Sequence, residues 1–315
     1  MLRNFFNKLL NYWGRFCFSH VNWVSTIIFN FRCFPIRQAI RLPVYIYSKT
    51  DIYGVGRVTL DAPRICRGMV RIGLWPMKAH NRTRIFHKGP IIFHGVAEIW
   101  GGVSIEGAGI LEFGANVVLA ESVQIVNENR MSFGDCVRVG YQTTLMDTDY
   151  HYIIDTRERT VRRNTAPVVI SSGTWISSTC KIMKNTHLPP DSVVGGGSLV
   201  NRDYSSEVAC QIFVGTPAKP VKNNRRRIFN VKVEAEINRY FRTHPEAEKH
   251  TVDFSEDIDT LCLSNFFRDE RCMLFTAVPA AGTGAPSGSA ETPSGGEPKI
   301  ASDARNKSEN RFREQ

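Results

Sequence analysis

Between Pro167 and Val200 a large aliphatic side chain returns at every sixth residue: Ile170, Ile176, Ile182, Leu188, Val194 and Val200. With large aliphatics at about a quarter of positions, six successive hits in one phase arise by chance on the order of once in four thousand trials. Two residues before five of them sits a small side chain, Thr174, Cys180, Thr186, Ser192 and Ser198, with Val168 before the first. Positions two apart on a strand share a face, so each hexad directs one large and one small group inward. A period of six fits neither an amphipathic helix nor a hairpin strand. It fits a solenoid of very short strands, each turning a corner before the next begins, whose stacked coils complete one another's core.

At 315 residues the chain can hold one sizeable domain with appendages. Its net charge of +10 favours anionic partners: nucleic acid, an acidic membrane surface or a phosphorylated cofactor. Eight cysteines are scattered without a C-x-x-C, and Cys136 and Cys180 fall inside the repeats. That usage predicts free thiols in a reducing compartment rather than a disulfide frame or a zinc site.

Residues 1–47 are basic and rich in aromatics. Their most apolar run, Phe16 to Phe34, is interrupted by His20, Asn22, Asn30 and Arg32, which makes a poor membrane span and a poor secretory signal. Two readings stay open for this segment: helices capping the open end of the solenoid, or an interfacial segment with Lys and Arg facing lipid headgroups. The solenoid itself is expected over 48–222. From Tyr45 to Gly109 the six-residue phase is blurred and reads as irregular early coils, with a meandering insertion near Met77–Lys88. Regular rungs follow, with Phe113, Leu119 and Ile125 inward, then Phe133, Val139 and Leu145. The eight-residue step from Ile125 to Phe133 requires a bulge at Asn127–Arg130.

From Leu145 to Ile170 the chain takes twenty-five residues, nineteen more than the repeat requires. This predicts an excursion loop at 146–169, and such loops in strict repeats are usually functional. Beyond Lys222, an extension over 223–276 is expected to contain an amphipathic helix at Val231–Arg242 and a strand and helix over Thr251–Asn265. Residues 277–315 are nearly devoid of large apolar side chains and are expected to be disordered.

The hexads, together with V-G-T-P-A-K-P-V-K at Val214–Lys222, resemble the hexapeptide-repeat acyltransferases. That resemblance implies a left-handed parallel β-helix; with the helical N-terminal segment and the small C-terminal α/β extension expected above, the fold class is all-β. The handedness comes from the resemblance alone, because the general preference for right-handed crossovers would give the opposite. The run from L-P-V-Y-I-Y onward resembles the acyltransferases found with bacterial surface-polysaccharide biosynthesis.

Acyl transfer to a hydroxyl needs a base, and a histidine near neutrality suits the task. Of eight histidines, His151 stands in the excursion loop beside Asp147 and Asp149. A carboxylate on the second ring nitrogen would fix the tautomer and stabilise the imidazolium; otherwise a loop histidine is simply solvated. D-x-D-x-H resembles the segment of the sugar-O-acetylating members, which implies His151 as the base. It leaves open how Asp147 and Asp149 divide orienting His151 from holding the acceptor.

The resemblance also implies an acyl-CoA donor, acetyl-CoA, with contacts at Trp175, Ser178, Gly196, Asn201, Arg202, Lys219 and Lys222. Asn201 departs from the threonine often found at its position. The plainer reading makes Gly195–Gly197 tight corners and the lysines a solvated exit. No metal is expected, since a zinc site needs three converging histidines and the chain offers His187 on the regular coils and His151 in the loop, while His87 and His94 lie far upstream and out of phase. Dispersed basic residues argue against nucleic acid. The expected protein is thus an acetyl-CoA-dependent O-acetyltransferase acting on a sugar hydroxyl of a surface-polysaccharide or lipopolysaccharide precursor. Its expected state is a homotrimer with sites at subunit boundaries, located in the cytoplasm, with peripheral contact at the inner membrane face left open. The alternatives are an N-acyltransferase on an amino sugar and a non-catalytic scaffold.

Overall fold

Ile85, Ile105, Ile125 and Leu145 follow one another at intervals of twenty residues, and all four are buried. Phe93, Phe113 and Phe133 repeat at the same interval, as do Ile99, Leu119 and Val139. In the computed structural model, which describes residues 21–74 and 81–252, each such interval is one coil of a parallel β-helix. Its three straight segments are joined by steps of six, six and eight residues. The eight-residue step recurs at one corner, from Ile85 to Phe93, Ile105 to Phe113 and Ile125 to Phe133. The expected irregularity of the early coils holds as far as Ile85, since the paired residues Ile46↔Ile72, Ile72↔Ile99 and Leu60↔Phe93 stand 26, 27 and 33 residues apart. From Ile85 onward it is corrected, because those coils are regular with one corner two residues longer than the hexad. Past the excursion loop this corner shortens and the interval falls to eighteen, from Ile170 to Leu188 and Ile176 to Val194.

Among the described residues the coils stack into three sheets of nine, seven and six strands. One coil runs through Val117–Leu119 on the first face, Gln124–Asn127 on the second and Arg130–Phe133 on the third, before Arg138–Val139 resumes the first. Pairing between coils is parallel and in register, as in Leu119↔Val139, Ile125↔Leu145 and Phe133↔Ile170. Corners are turned by residues in left-handed backbone conformation, including Asn116 (φ 63°) and Asn185 (φ 62°), a residue type that tolerates it. The expected insertion near Met77–Lys88 is narrower than anticipated, because Thr83–His87 is a strand paired with both Thr50–Ile52 and Ser104–Gly107.

Every inward position expected from the hexads is buried, the large aliphatics from Ile170 to Val200 and the small groups from Val168 to Ser198 alike. On the third face the rings of Phe93, Phe113 and Phe133 form a stack, with centroids 5.0 and 5.3 Å apart. The first face closes on an antiparallel pair, Ile212–Gly215 with Ala218–Lys222, which is the exit segment singled out in the sequence.

At the opposite end, helix α1 (Trp23–Cys33) starts at Asn22, whose side chain accepts from the Ser25 amide at 3.0 Å. It lies along the strand Val44–Ile46 of the first coil. An open strand edge presents unpaired backbone groups, and here two polar side chains of α1 meet them. Asn30 accepts from the Val44 amide at 3.1 Å and donates to its carbonyl at 2.7 Å, while Thr26 accepts from the Ile46 amide at 3.0 Å. A short helix α2 (Ile36–Ala39) follows.

Beyond Lys222 the chain turns back over the first face. Arg226 pairs with Asp191 at 2.8 Å, Arg227 lies 5.0 Å from the Trp175 ring centroid, and Phe229 is buried. Helix α3 (Val231–Thr243) comes next, capped by the Asn230 side chain. The expected strand and helix of Thr251–Asn265, and the expected disorder of 277–315, lie outside the described residues.

Candidate active site

The second-to-third corner stacks equivalent positions of four successive coils, three of which carry polar side chains. His87, Gly107 and Asn127 occupy equivalent places in register, and Asp147 takes the next. Asp147 is fully buried. Its carboxylate accepts from the Asn127 side chain at 2.6 Å, from the Glu128 amide at 2.7 Å and from the Asn129 amide at 2.9 Å. Asn127 in turn places its carbonyl oxygen 2.9 Å from His87 Nε2. The rung between them is Gly107, where a Cβ would lie 1.9 Å from the backbone carbonyl oxygen of Asn127. Asp147 is thus committed to pinning the start of the excursion loop to the corner below it.

The loop leaves from this corner. Asp149 points outward and pairs with Lys184 Nζ at 2.6 Å, and the same ammonium donates to the Arg163 carbonyl at 3.3 Å. His151 donates its backbone amide to the Asp149 carbonyl at 2.6 Å, and its side chain is exposed. Farther out, Ile154–Asp155 pairs antiparallel with Thr160–Val161. The loop returns through Thr148↔Thr165 and the bond from the Ala166 amide to the Asp147 carbonyl at 3.0 Å. Between loop and coil opens a cleft of about 440 Å³, bordered by Asp149, His151, Arg163, Asn164 and Lys184. The structure therefore brings His151 and Asp149 to one cleft and holds Asp147 out of it.

Of the positions expected to meet coenzyme, Ser178 and Gly196 adjoin at the first-to-second corner on consecutive coils. The Gly197 amide donates to the Ser178 carbonyl at 3.1 Å, and a Cβ built on Gly196 would meet nothing nearer than 3.5 Å. An extended chain can approach the backbone there. Asn201 and Arg202 follow the strand Leu199–Val200 on the second face, and Arg202 donates to the Ala218 carbonyl at 3.3 Å. It thereby reaches the final strand, which carries Lys219 and Lys222, both exposed. These three cations form a basic end fit for phosphate. Trp175 lies apart from both groups, on the first face beneath Arg227.

Lys184 was not singled out in the sequence, and Asn127, Glu128 and Asn129 only as part of a bulged corner. The twenty-residue interval from Asn127 to Asp147 is the signal that would have paired those two. Nothing comparable marks Lys184, which meets Asp149 only because the loop folds back on the coil.

No family model matches the chain, and no curated protein matches it in sequence. Among solved structures it is similar to the polySia-specific acetyltransferase NeuO, at 18% identity over 65% of this chain and 89% of that one, with a TM-score of 0.44. A hexapeptide-repeat acetyltransferase from Vibrio cholerae, complexed with acetyl coenzyme A, matches at 22% identity over 42% of this chain and 64% of that one, TM-score 0.31. A variant of AntD, an N-acyltransferase from Bacillus cereus in complex with dTDP and coenzyme A, matches at 16% over 64% and 88%, TM-score 0.35. The chain is a three-faced parallel β-helix, with structural matches among the hexapeptide-repeat acetyltransferases.

Proposed function

We propose that the protein is an acyl-CoA-dependent acyltransferase, with acetyl-CoA as donor and a sugar hydroxyl of a surface-polysaccharide or lipopolysaccharide precursor as acceptor. The observation that carries this reading is the exposed His151 at the mouth of a cleft, beside an Asp149 already held by Lys184. The donor supplies an activated thioester. His151 takes the hydroxyl proton as the acceptor oxygen forms its bond to the acyl carbon, and returns it to the thiolate as the C–S bond breaks. Asp149 acts by its charge near the imidazolium, and Lys184 limits its motion. Ser178 and Gly196 would line the pantetheine path, and Arg202, Lys219 and Lys222 the phosphates. Arg227 covers Trp175, so any coenzyme contact there would require that side chain to move.

The working unit in this proposal is a homotrimer. His151 leaves from one end of the second face and Ser178 with Gly196 sit at its other end, so within one chain the two halves are separated by that face. Closed threefold packing would carry the loop of one subunit to the Ser178 corner of the next. Tyr152, Ile153 and Ile154, which are 69%, 77% and 54% exposed, supply apolar surface for that contact. The cytoplasm, where acyl-CoA and free thiols coexist, is the expected location.

The test is coenzyme A release by the full chain with acetyl-CoA and a panel of glycan acceptors, beside the variant His151→Ala. Expected are acceptor-dependent release and a loss of about two to four orders of magnitude in the variant, with acetyl-CoA binding retained. Absence of acetyl-CoA binding would favour a scaffold, and equal turnover in the variant would remove His151 as the base. An alkali-labile product marks an ester, whereas a stable one marks an amide and the amino-sugar alternative.

A further inference from the structure

Helix α1 packs Phe29 and Cys33 against the core beside two polar side chains, and turns a second apolar stripe away from the protein. The two residues it buries completely are Thr26 and Asn30. Val24, Ile27, Ile28 and Phe31 stand at i, i+3, i+4 and i+7, the spacing by which a surface helix normally faces its core, yet they are 69%, 47%, 61% and 47% exposed. The first coil explains why this stripe points outward. Its open strand edge needs hydrogen-bonding partners, and Thr26 and Asn30 supply them, which sets the rotation of the helix and leaves Val24, Ile27, Ile28 and Phe31 on the far side. Ile36 and Ile40, 64% and 65% exposed, add to the apolar surface around α2. A folded protein leaves a contiguous apolar face open where something covers it.

The charge around this face identifies the cover. Residues 1–50 contain seven Lys and Arg and no Asp or Glu. Arg32, Arg37 and Arg41 are exposed on and beside the two helices. The first acidic residue, Asp51, is already engaged by Arg82 at 2.6 and 2.8 Å. With eleven residues, α1 is about 16 Å long, half of what a bilayer core of about 30 Å demands. No described helix is long and apolar enough to cross a membrane. An apolar stripe bordered by arginines on a helix too short to span fits a helix lying in the plane of a membrane interface. We infer that α1 and α2 dock the N-terminal end of the β-helix onto an anionic lipid surface. Val24, Ile27, Ile28 and Phe31 enter the headgroup boundary, and Arg32, Arg37 and Arg41 meet lipid phosphates. A second copy of this chain, equally cationic, would bring like charges together and fits the face less well.

The test is sedimentation of the full chain with phosphatidylcholine vesicles, with and without phosphatidylglycerol. Binding to the anionic vesicles should exceed binding to the neutral ones about tenfold or more and fall with added salt. Ile27→Glu combined with Phe31→Glu should abolish it while the thermal midpoint is kept. Should that variant fail to fold, Arg37→Glu with Arg41→Glu, both exposed, should remove the dependence on anionic lipid. Equal binding to neutral vesicles, or undiminished binding by a folded α1 variant, would overturn the proposal. So would a self-association in solution that the α1 variant abolishes while vesicle binding is absent. Loss of binding on removing residues 1–20, with the α1 variant still bound, would place the contact in that segment and overturn the assignment to α1. None of these outcomes depends on the catalytic reading.

Discussion

Asn127 joins Asp147 at 2.6 Å and His87 at 2.9 Å, bridging four coils through a rung where Gly107 has no side chain. The amide orientation follows from Asp147: a carboxylate must receive the NH₂, which leaves the carbonyl oxygen for the imidazole. A buried carboxylate with three donors aimed at it becomes costly once one side is removed, at roughly 1–3 kcal/mol for each group left unsatisfied. Asp147→Ala should therefore lower the thermal midpoint by several degrees and release the excursion loop, seen as faster proteolysis between Thr148 and Ala166. Gly107→Ala should cost at least as much, because its φ of 132° and the 1.9 Å approach to the Asn127 backbone carbonyl both oppose a methyl group.

The Asp149–Lys184 pair is different in kind. Both side chains remain partly exposed, at 36% and 26%, and such pairs contribute about 0–1 kcal/mol. Lys184→Met should leave the thermal midpoint within about two degrees of the parent while lowering kcat more than it raises KM. Unchanged kinetics would show that Lys184 has no part in positioning Asp149.

Phe113 lies between Phe93 and Phe133 and is completely buried. Phe113→Ala should destabilise by about 3–5 kcal/mol, because the stack holds three coils together and the cavity cannot close without breaking register. Phe113→Leu, which retains most of the volume, should recover much of that loss in a denaturant titration.

Burial pushes the thiols of Cys136 and Cys180 above the ordinary 9.0. The thiolate is the reacting species, so at pH 8 both should be modified by a thiol reagent at least about tenfold more slowly in the native protein than in denaturant. Native reactivity at Cys180 should keep rising beyond pH 9. Equal native and denatured rates would mean that the coils open readily.

The late hexads were legible because each step there is six residues and inside alternates strictly with outside. From Ile85 to Leu145 the same core was obscured because the long corner shifts the phase by two every turn, and a search at a period of twenty would have aligned those coils. Before Ile85 the paired residues stand 26 to 33 apart, so no single period reveals them. Asp147 could not be told from Asp149 in sequence, since the donors that claim it lie a coil earlier at Asn127, Glu128 and Asn129. For residues 1–47 the sequence left capping helices and an interfacial segment as alternatives, and it did not show which side of α1 would face inward. Which side faces inward was decided by the unpaired edge at Val44 and Ile46, a property of the strand rather than of the helix.

The twenty-residue coil makes length a quantised property of this molecule. Gly114 and Gly134 occupy equivalent corners one turn apart, close enough that a Cβ on the first would lie 2.5 Å from the backbone of the second. Excising residues 114–133 would splice Phe113 directly to Gly134 and keep every later side chain on its own face, leaving a rod shorter by about 4.8 Å. Excising a single residue more would send the aliphatic ladder outward. Insertions and deletions that respect this spacing could move the lipid-facing end nearer to the cleft, or farther from it, one rung at a time.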